Sequence, residues 1–158
     1  MQSIAHMYQE SARKFRDQPA FATRRGKVFQ SKSYGQLYDD ALALATALSE
    51  LGLAAGDKVG LFADNRYEWI VSSMAITLCG AADVPRGTDI TAEDIRHIVP
   101  HSDMKILLVE DEATLRRVRS VGESSVLQTV VLLEGRSDKV LRFTDLLERG
   151  VELLARGS

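Results

Sequence analysis

Apolar residues recur along this chain at two spacings, every three or four positions in some stretches and as short unbroken runs in others, and the contrast predicts the elements. Ser3 is placed to cap a first helix, with Ile4, Met7, Tyr8 and Phe15 on one face and Asp17-Gln18-Pro19 ending it. Ala20–Thr23 and Val28–Lys32 then flank Arg24-Arg25-Gly26-Lys27, a glycine-bearing connection of the kind that joins hairpin strands. Ser33-Tyr34-Gly35-Gln36 has the form of a capping box, in which serine accepts from a backbone N–H and glutamine reaches back. The long helix it opens carries Leu37, Ala41, Leu44, Ala45, Leu48 and Leu51 at helical spacing, and Gly52 can take the left-handed conformation at its end.

Beyond Gly56-Asp57, the mostly apolar run Lys58–Ala63 reads as a strand covered on both faces, closed by Asp64-Asn65-Arg66. Helical spacing returns over Glu68–Leu78, Gly80 stops it, and Ala81–Val84 follows as a strand, with Pro85 and Gly87 breaking the pattern. Thr91-Ala92-Glu93-Asp94 caps a third helix bearing Ile95, Ile98 and Val99, which Pro100 is expected to end. Lys105–Val109 is a buried strand, Ala113–Val121 a short helix and Thr129–Leu133 another strand. After a polar loop, Glu134–Lys139, Thr144 is placed to cap a final helix through Leu154. A helix and hairpin followed by alternating strands and helices predict an α/β fold, a mainly parallel sheet flanked by helices, with residues 1–158 as one segment. Neither internal repeat nor interdomain linker interrupts it.

Composition narrows the classes. Hydrophobic residues at 45% exceed what a disordered tail would carry, and the 20 basic against 22 acidic residues create no field that would favour nucleic acid as a partner. Cys79 is the sole cysteine, so no intrachain disulfide forms, and its apolar setting suits a packed thiol in a cytoplasmic protein. The start, Met1-Gln2-Ser3-Ile4-Ala5-His6, lacks the basic and apolar regions of a secretion signal. The most apolar stretch, Ile70–Val84, contains Ser72, Ser73, Gly80 and Asp83, too many polar positions for a transmembrane segment.

Chemistry-bearing patterns are few. No Gly-x-Gly-x-x-Gly and no Walker sequence occurs, and Gly52, Gly56 and Gly60 fall at a helix end, a turn and a strand. Met104–Glu112 resembles the opening strand and acidic cluster of a response-regulator receiver, whose carboxylates could hold magnesium. Too few strands follow for that fold, so Glu110, Asp111 and Glu112 read as acidic residues solvated at a helix start. His97 and His101 stand four apart, as zinc ligands on one helix face would, but Pro100 between them is expected to break that face. Arg24, Arg25 and Lys27 read as a solvated hairpin tip, and Tyr67 and Trp69 as core packing. Arg86 and Asp89 follow a strand's carboxyl end, where ligands gather, and are expected to form a loop ion pair.

Five segments in order carry a resemblance: Ser33–Leu37, Gly52–Leu61, Asn65–Trp69, Gly80–Pro85 and Thr91–Ile95. Together they resemble the amino-terminal segment of AMP-forming acyl-CoA synthetases, adenylate-forming enzymes, and most of all the long-chain fatty-acid branch. The likeness runs from about Ile4 to Leu154; at Arg86-Gly87-Thr88-Asp89 many long-chain members are more apolar. The resemblance implies a parent that uses ATP, magnesium and coenzyme A to turn a carboxylic acid, expected to be a fatty acid, into its acyl-CoA with release of AMP and pyrophosphate. The family's phosphate loop ending in Pro-Lys-Gly, its magnesium-holding glutamate, its ribose-binding aspartate and its carboxy-terminal lysine match nothing in residues 1–158. No catalytic, cofactor-binding or metal residue is therefore carried onto this chain, which is expected to be an inactive fragment with a scaffolding role. Its expected partners are the remainder of the parent enzyme and, through surfaces exposed by truncation, further copies of itself. A cytoplasmic location is expected, with peripheral membrane contact of the parent left open. The alternatives are a free-standing binding or regulatory module and a scaffold part of a peptide-synthetase-type adenylation domain.

Overall fold

Ser3 and Ser33 start the first two helices by the same chemistry. In this computed structural model, which describes residues 3–122, 127–138 and 140–157 and only the backbone of Arg25, the Ser3 hydroxyl accepts from the His6 N–H at the head of α1 (Ile4–Lys14). Ala12 is buried and Tyr8 packs on the core, while Ile4 and Met7 point outward, 59% and 53% exposed, so the expected apolar face is only partly covered. The hairpin pairs β1 (Pro19–Arg25) with β2 (Val28–Ser33), and its ladder runs to Arg25 opposite Val28. The turn is therefore Gly26-Lys27, two residues rather than the expected four, because Gly26 at φ +61° supplies the twist that a tight hairpin turn needs.

At the head of α2 (Tyr34–Glu50) the capping box is complete: Ser33 Oγ accepts from the Gln36 N–H at 3.2 Å and Gln36 Oε1 accepts from the Ser33 N–H at 3.0 Å. Ser33→Ala should lower unfolding free energy by about 1 kcal/mol, measured by urea denaturation; an unchanged midpoint would mean the box adds nothing. Ala41, Ala43, Leu44, Ala45, Ala47 and Leu48 of this helix are all buried. Such all-round burial follows from its place in the helical layer, between α3 (Tyr67–Leu78) and α6 (Phe143–Ala155), with α1 and the hairpin also against it.

The main sheet holds β3 (Lys58–Phe62), β4 (Ala82–Arg86), β5 (Ile106–Val109), β6 (Thr129–Leu132) and β7 (Leu141–Arg142), in spatial order β4-β3-β5-β6-β7, and each neighbouring pair is parallel. Along the central strands successive side chains go to opposite faces, as the pleat requires. Val59, Leu61, Ile106 and Leu108 join the core under α2, α3 and α6. Phe62, Leu107 and Val109 join a second core, shared with Ile95 and Val99 of α4 (Ala92–Ser102) and Leu115 and Val118 of α5 (Glu112–Ser120). The two layers explain why these strands read as unbroken apolar runs.

Most expected boundaries shift by a residue or two, and three of the shifts have an identifiable cause. Strand β4 continues through Pro85 to Arg86, because it is an edge strand, where a residue without an N–H is tolerated. Helix α4 continues through Pro100 to Ser102 and ends on Asp103 in the left-handed conformation (φ 55°). Pro100 lies exposed in the last turns, and the carbonyl deprived of its donor belongs to Arg96, also exposed, so water can satisfy it. Helix α6 starts at Phe143, one residue before Thr144; Arg142 is the N-cap residue, and its guanidinium, rather than a cap from Thr144, bonds Asp145. The pairing of β7 with β6 sets that start, and Lys139 at the end of the expected polar loop lies outside the described residues.

Candidate functional site: the carboxyl edge of the sheet

The chain leaves β3 toward β4 at one edge but leaves β5 toward β6 in the opposite direction. The carboxyl ends of β3 and β5 therefore bound the switch point, where open parallel sheets gather ligands. Because Phe62 pairs with Val109 and Val109 with Leu132, the charged residues just past three buried strands arrive side by side. They are Asp64, Arg66, Glu110 and Glu134.

These groups are engaged with one another. Arg66 donates from Nε to Glu68 Oε2 at 2.7 Å and from Nη1 to Glu134 Oε2 at 2.8 Å, with Glu110 Oε1 at 3.9 Å. Glu110 Oε2 accepts from the Asp64 N–H at 2.7 Å, tying the end of β5 to the loop after β3. The Asp64 carboxylate accepts from the Thr88 N–H at 3.0 Å and the Thr88 hydroxyl at 2.7 Å, tying that loop to the end of β4. Both Thr88 bonds, the backbone one first, hold the Asp64 carboxyl below its ordinary range. Burial pulls the Arg66 guanidinium down, but the Glu68 and Glu134 carboxylates outweigh it and raise the group. Asp111 caps α5 by accepting from the Thr114 N–H at 2.8 Å, which lowers its carboxyl, and Glu112 accepts from the Arg136 N–H at 3.1 Å.

The acidic residues expected to be merely solvated at a helix start are thus a cap and two loop ties. Two shallow depressions flank the network, one over Asp64, Trp69, Pro85 and Arg86, the other over Asp111, Arg116 and Glu134. Carboxylates crowd this edge, and no glycine lies in the loop Ala63–Arg66 that leads into α3. A nucleotide triphosphate placed at the head of α3 would meet Glu68 and Glu110, while Arg66 is already committed to them. The edge does not fit that ligand. Among the described residues no group of three or more His, Cys, Asp or Glu side chains converges.

The other sequence candidates are dispersed. Arg86 donates to the Pro85 carbonyl at 3.1 Å and lines the first depression beside Gly87, and no ion pair joins it to Asp89. Tyr67 packs beside Phe21, ring centroids 5.7 Å apart, and its hydroxyl donates to Asp40 at 2.7 Å; burial first and Asp40 second push the phenol well up. Trp69 is only partly buried and reaches the rim of the first depression. Arg24 bonds the Gly26 carbonyl, and Gly26 and Lys27 are exposed, as a solvated tip requires. Cys79 is half-buried, its thiol pushed up by burial, with Sγ donating to the Ala45 carbonyl. His97 and His101 come together on α4, since Pro100 does not end the helix: their rings stack at 5.3 Å between centroids. Asp64, Arg66, Thr88 and Glu134 are the network residues that sequence reasoning missed. The signal for three of them was the charge that follows each of three strands, and only the register reveals the partners.

Comparison with known proteins adds a family and a length. The model of the AMP-binding enzyme family matches residues 8–150. A long-chain-fatty-acid–CoA ligase of Homo sapiens is 26% identical over 153 residues, covering 94% of this chain and 23% of that protein. A chloroplastic long-chain-fatty-acid–[acyl-carrier-protein] ligase of Arabidopsis thaliana is 27% identical over 164 residues, covering 98% and 23%. The anthranilate CoA ligase AuaEII, crystallised with anthranoyl-AMP, superposes with a TM-score of 0.82 at 21% identity, covering 93% of this chain and 27% of that one. The chain thus spans about a quarter of the length of the proteins it matches.

Proposed function

Because the chain belongs to the AMP-binding enzyme family, we propose that it forms the sheet-bearing scaffold of an ATP-dependent ligase joining a carboxylic acid, a fatty acid foremost, to a thiol acceptor. Residues 1–158 act in it as one α/β unit. A carboxylate is a poor electrophile with a poor leaving group, and an enzyme of this class overcomes both by making the acyl-adenylate before the thiol attacks. The observation carrying the reading is the family match across 8–150 on a sheet whose carboxyl edge is closed by Arg66, Glu110, Asp64 and Thr88. At that edge Arg66 and its carboxylate partners already hold one another, which supports a reading in which ATP, magnesium and coenzyme A are handled by other parts of the enzyme.

The fatty-acid assignment takes its support from relatives whose names state long-chain fatty acids, with CoA in one and an acyl-carrier protein in another as acceptor. Val28 and Phe29, 65% and 67% exposed on the hairpin, support a surface where further enzyme packs or copies of this chain associate. The chain by itself should show no carboxylate-dependent exchange of labelled pyrophosphate into ATP with any fatty acid. Exchange above the no-enzyme background would sink the scaffold reading.

A further inference from the structure

The geometry points to a two-imidazole binding site for a divalent transition-metal ion on the exposed face of α4, formed by His97 and His101. Four residues apart on a continuous helix, the two side chains project from successive turns on the same side. Their rings already face each other, with centroids 5.3 Å apart and planes 13° from parallel. Rotation about the side-chain bonds brings one nitrogen of each ring to the roughly 2.0–2.1 Å that a metal–imidazole bond requires. Both residues are exposed, so an ion can reach them without opening the core, and water completes the coordination. Glu93, one turn toward the amino end, does not join a third ligand to the pair.

Two imidazoles and water select by ligand softness. They suit copper, nickel, cobalt and zinc, and they leave magnesium and calcium, which demand oxygen, unbound. The pair also straddles Pro100, the residue in this stretch that gives the helix no N–H. A metal bridging His97 to His101 therefore clips the last turns of α4 where the backbone ladder is interrupted, and occupancy should protect them.

The test is titration of the tag-free full chain with nickel chloride, copper chloride and magnesium chloride, followed by calorimetry and by paramagnetic broadening of backbone amide signals. One nickel or copper ion should bind per chain, copper more tightly, with broadening centred on residues 93–103 and magnesium without effect. Because one ligand of a linked pair supplies about a hundredfold in apparent affinity, His97→Gln or His101→Gln should each weaken nickel binding by about that factor, while His6→Gln should leave it unchanged. Nickel affinity retained in the His97→Gln/His101→Gln double variant, broadening centred elsewhere in the wild-type chain, or no binding at all would overturn the site.

Discussion

Replacing Gly150 by alanine should destabilise the protein by about 3 kcal/mol, the upper end of ordinary overpacking, although alanine for glycine inside a helix gains about 1 kcal/mol where there is room. The sign reverses because α6 crosses α2 in contact: a Cβ built at Gly150 would lie 1.9 Å from the carbonyl oxygen of Ala43 and 2.5 Å from its carbonyl carbon. Both obstructing atoms are backbone, so no rotamer change clears them, and the helices must separate. Phe143 and Leu146, buried on α6, would move with it and loosen the core over β6. Urea denaturation of the two proteins measures the loss. Ala43→Gly should not restore stability, because it removes a side chain and leaves the oxygen in place. A Gly150→Ala protein as stable as the parent would show that the two helices are not in contact there.

Arg66→Met should cost about 2 kcal/mol, less than the 3–5 kcal/mol of breaking a fully buried pair because Glu134 stays well solvated. Its side chain is 67% exposed, whereas Glu68 and Glu110 are 24% and 21% exposed and would lose the Arg66 cation. The ends of β3, β5 and β6 lose their shared tie at the same time. Arg66→Lys should recover only part of the loss, since an ammonium keeps the charge but lacks the planar fork that reaches three carboxylates. Adding Glu110→Gln to Arg66→Met should return part of it by removing one of the stranded charges, a coupling that a double-mutant cycle reads directly. Additive effects of the two changes would mean that Arg66 and Glu110 do not interact.

Element order was legible wherever a local chemical signal marked it. Ser33 with Gln36 and Thr91 with Asp94 announced their helices through both halves of a capping box, and both boxes are present. The parallel sheet followed from strands separated by helices. What could not be read depends on neighbours far along the chain. The two-residue strand β7 exists only because Leu141 and Arg142 pair with Val131 and Leu132. Pro85 stays in a strand because, among the described residues, no strand lies beyond β4 to ask for its N–H, and Pro100 stays in a helix because its turn faces water. The faces of β3 and β5 were hidden by their uniform apolarity, as α2's central place was by its alanines. At the carboxyl edge, Asp64, Glu110 and Glu134 were visible as separate charges, but the parallel register is what makes them neighbours of Arg66.

The most direct test of whether these side chains close the sheet's carboxyl edge is an amide NMR titration of the chain with magnesium-ATP, carried to about 1 mM, the weak end of ordinary substrate affinity. No saturable shifts are expected at residues 63–66, 110–112 or 134–136. Saturable shifts clustered on those three loops would show that the edge is open to the nucleotide.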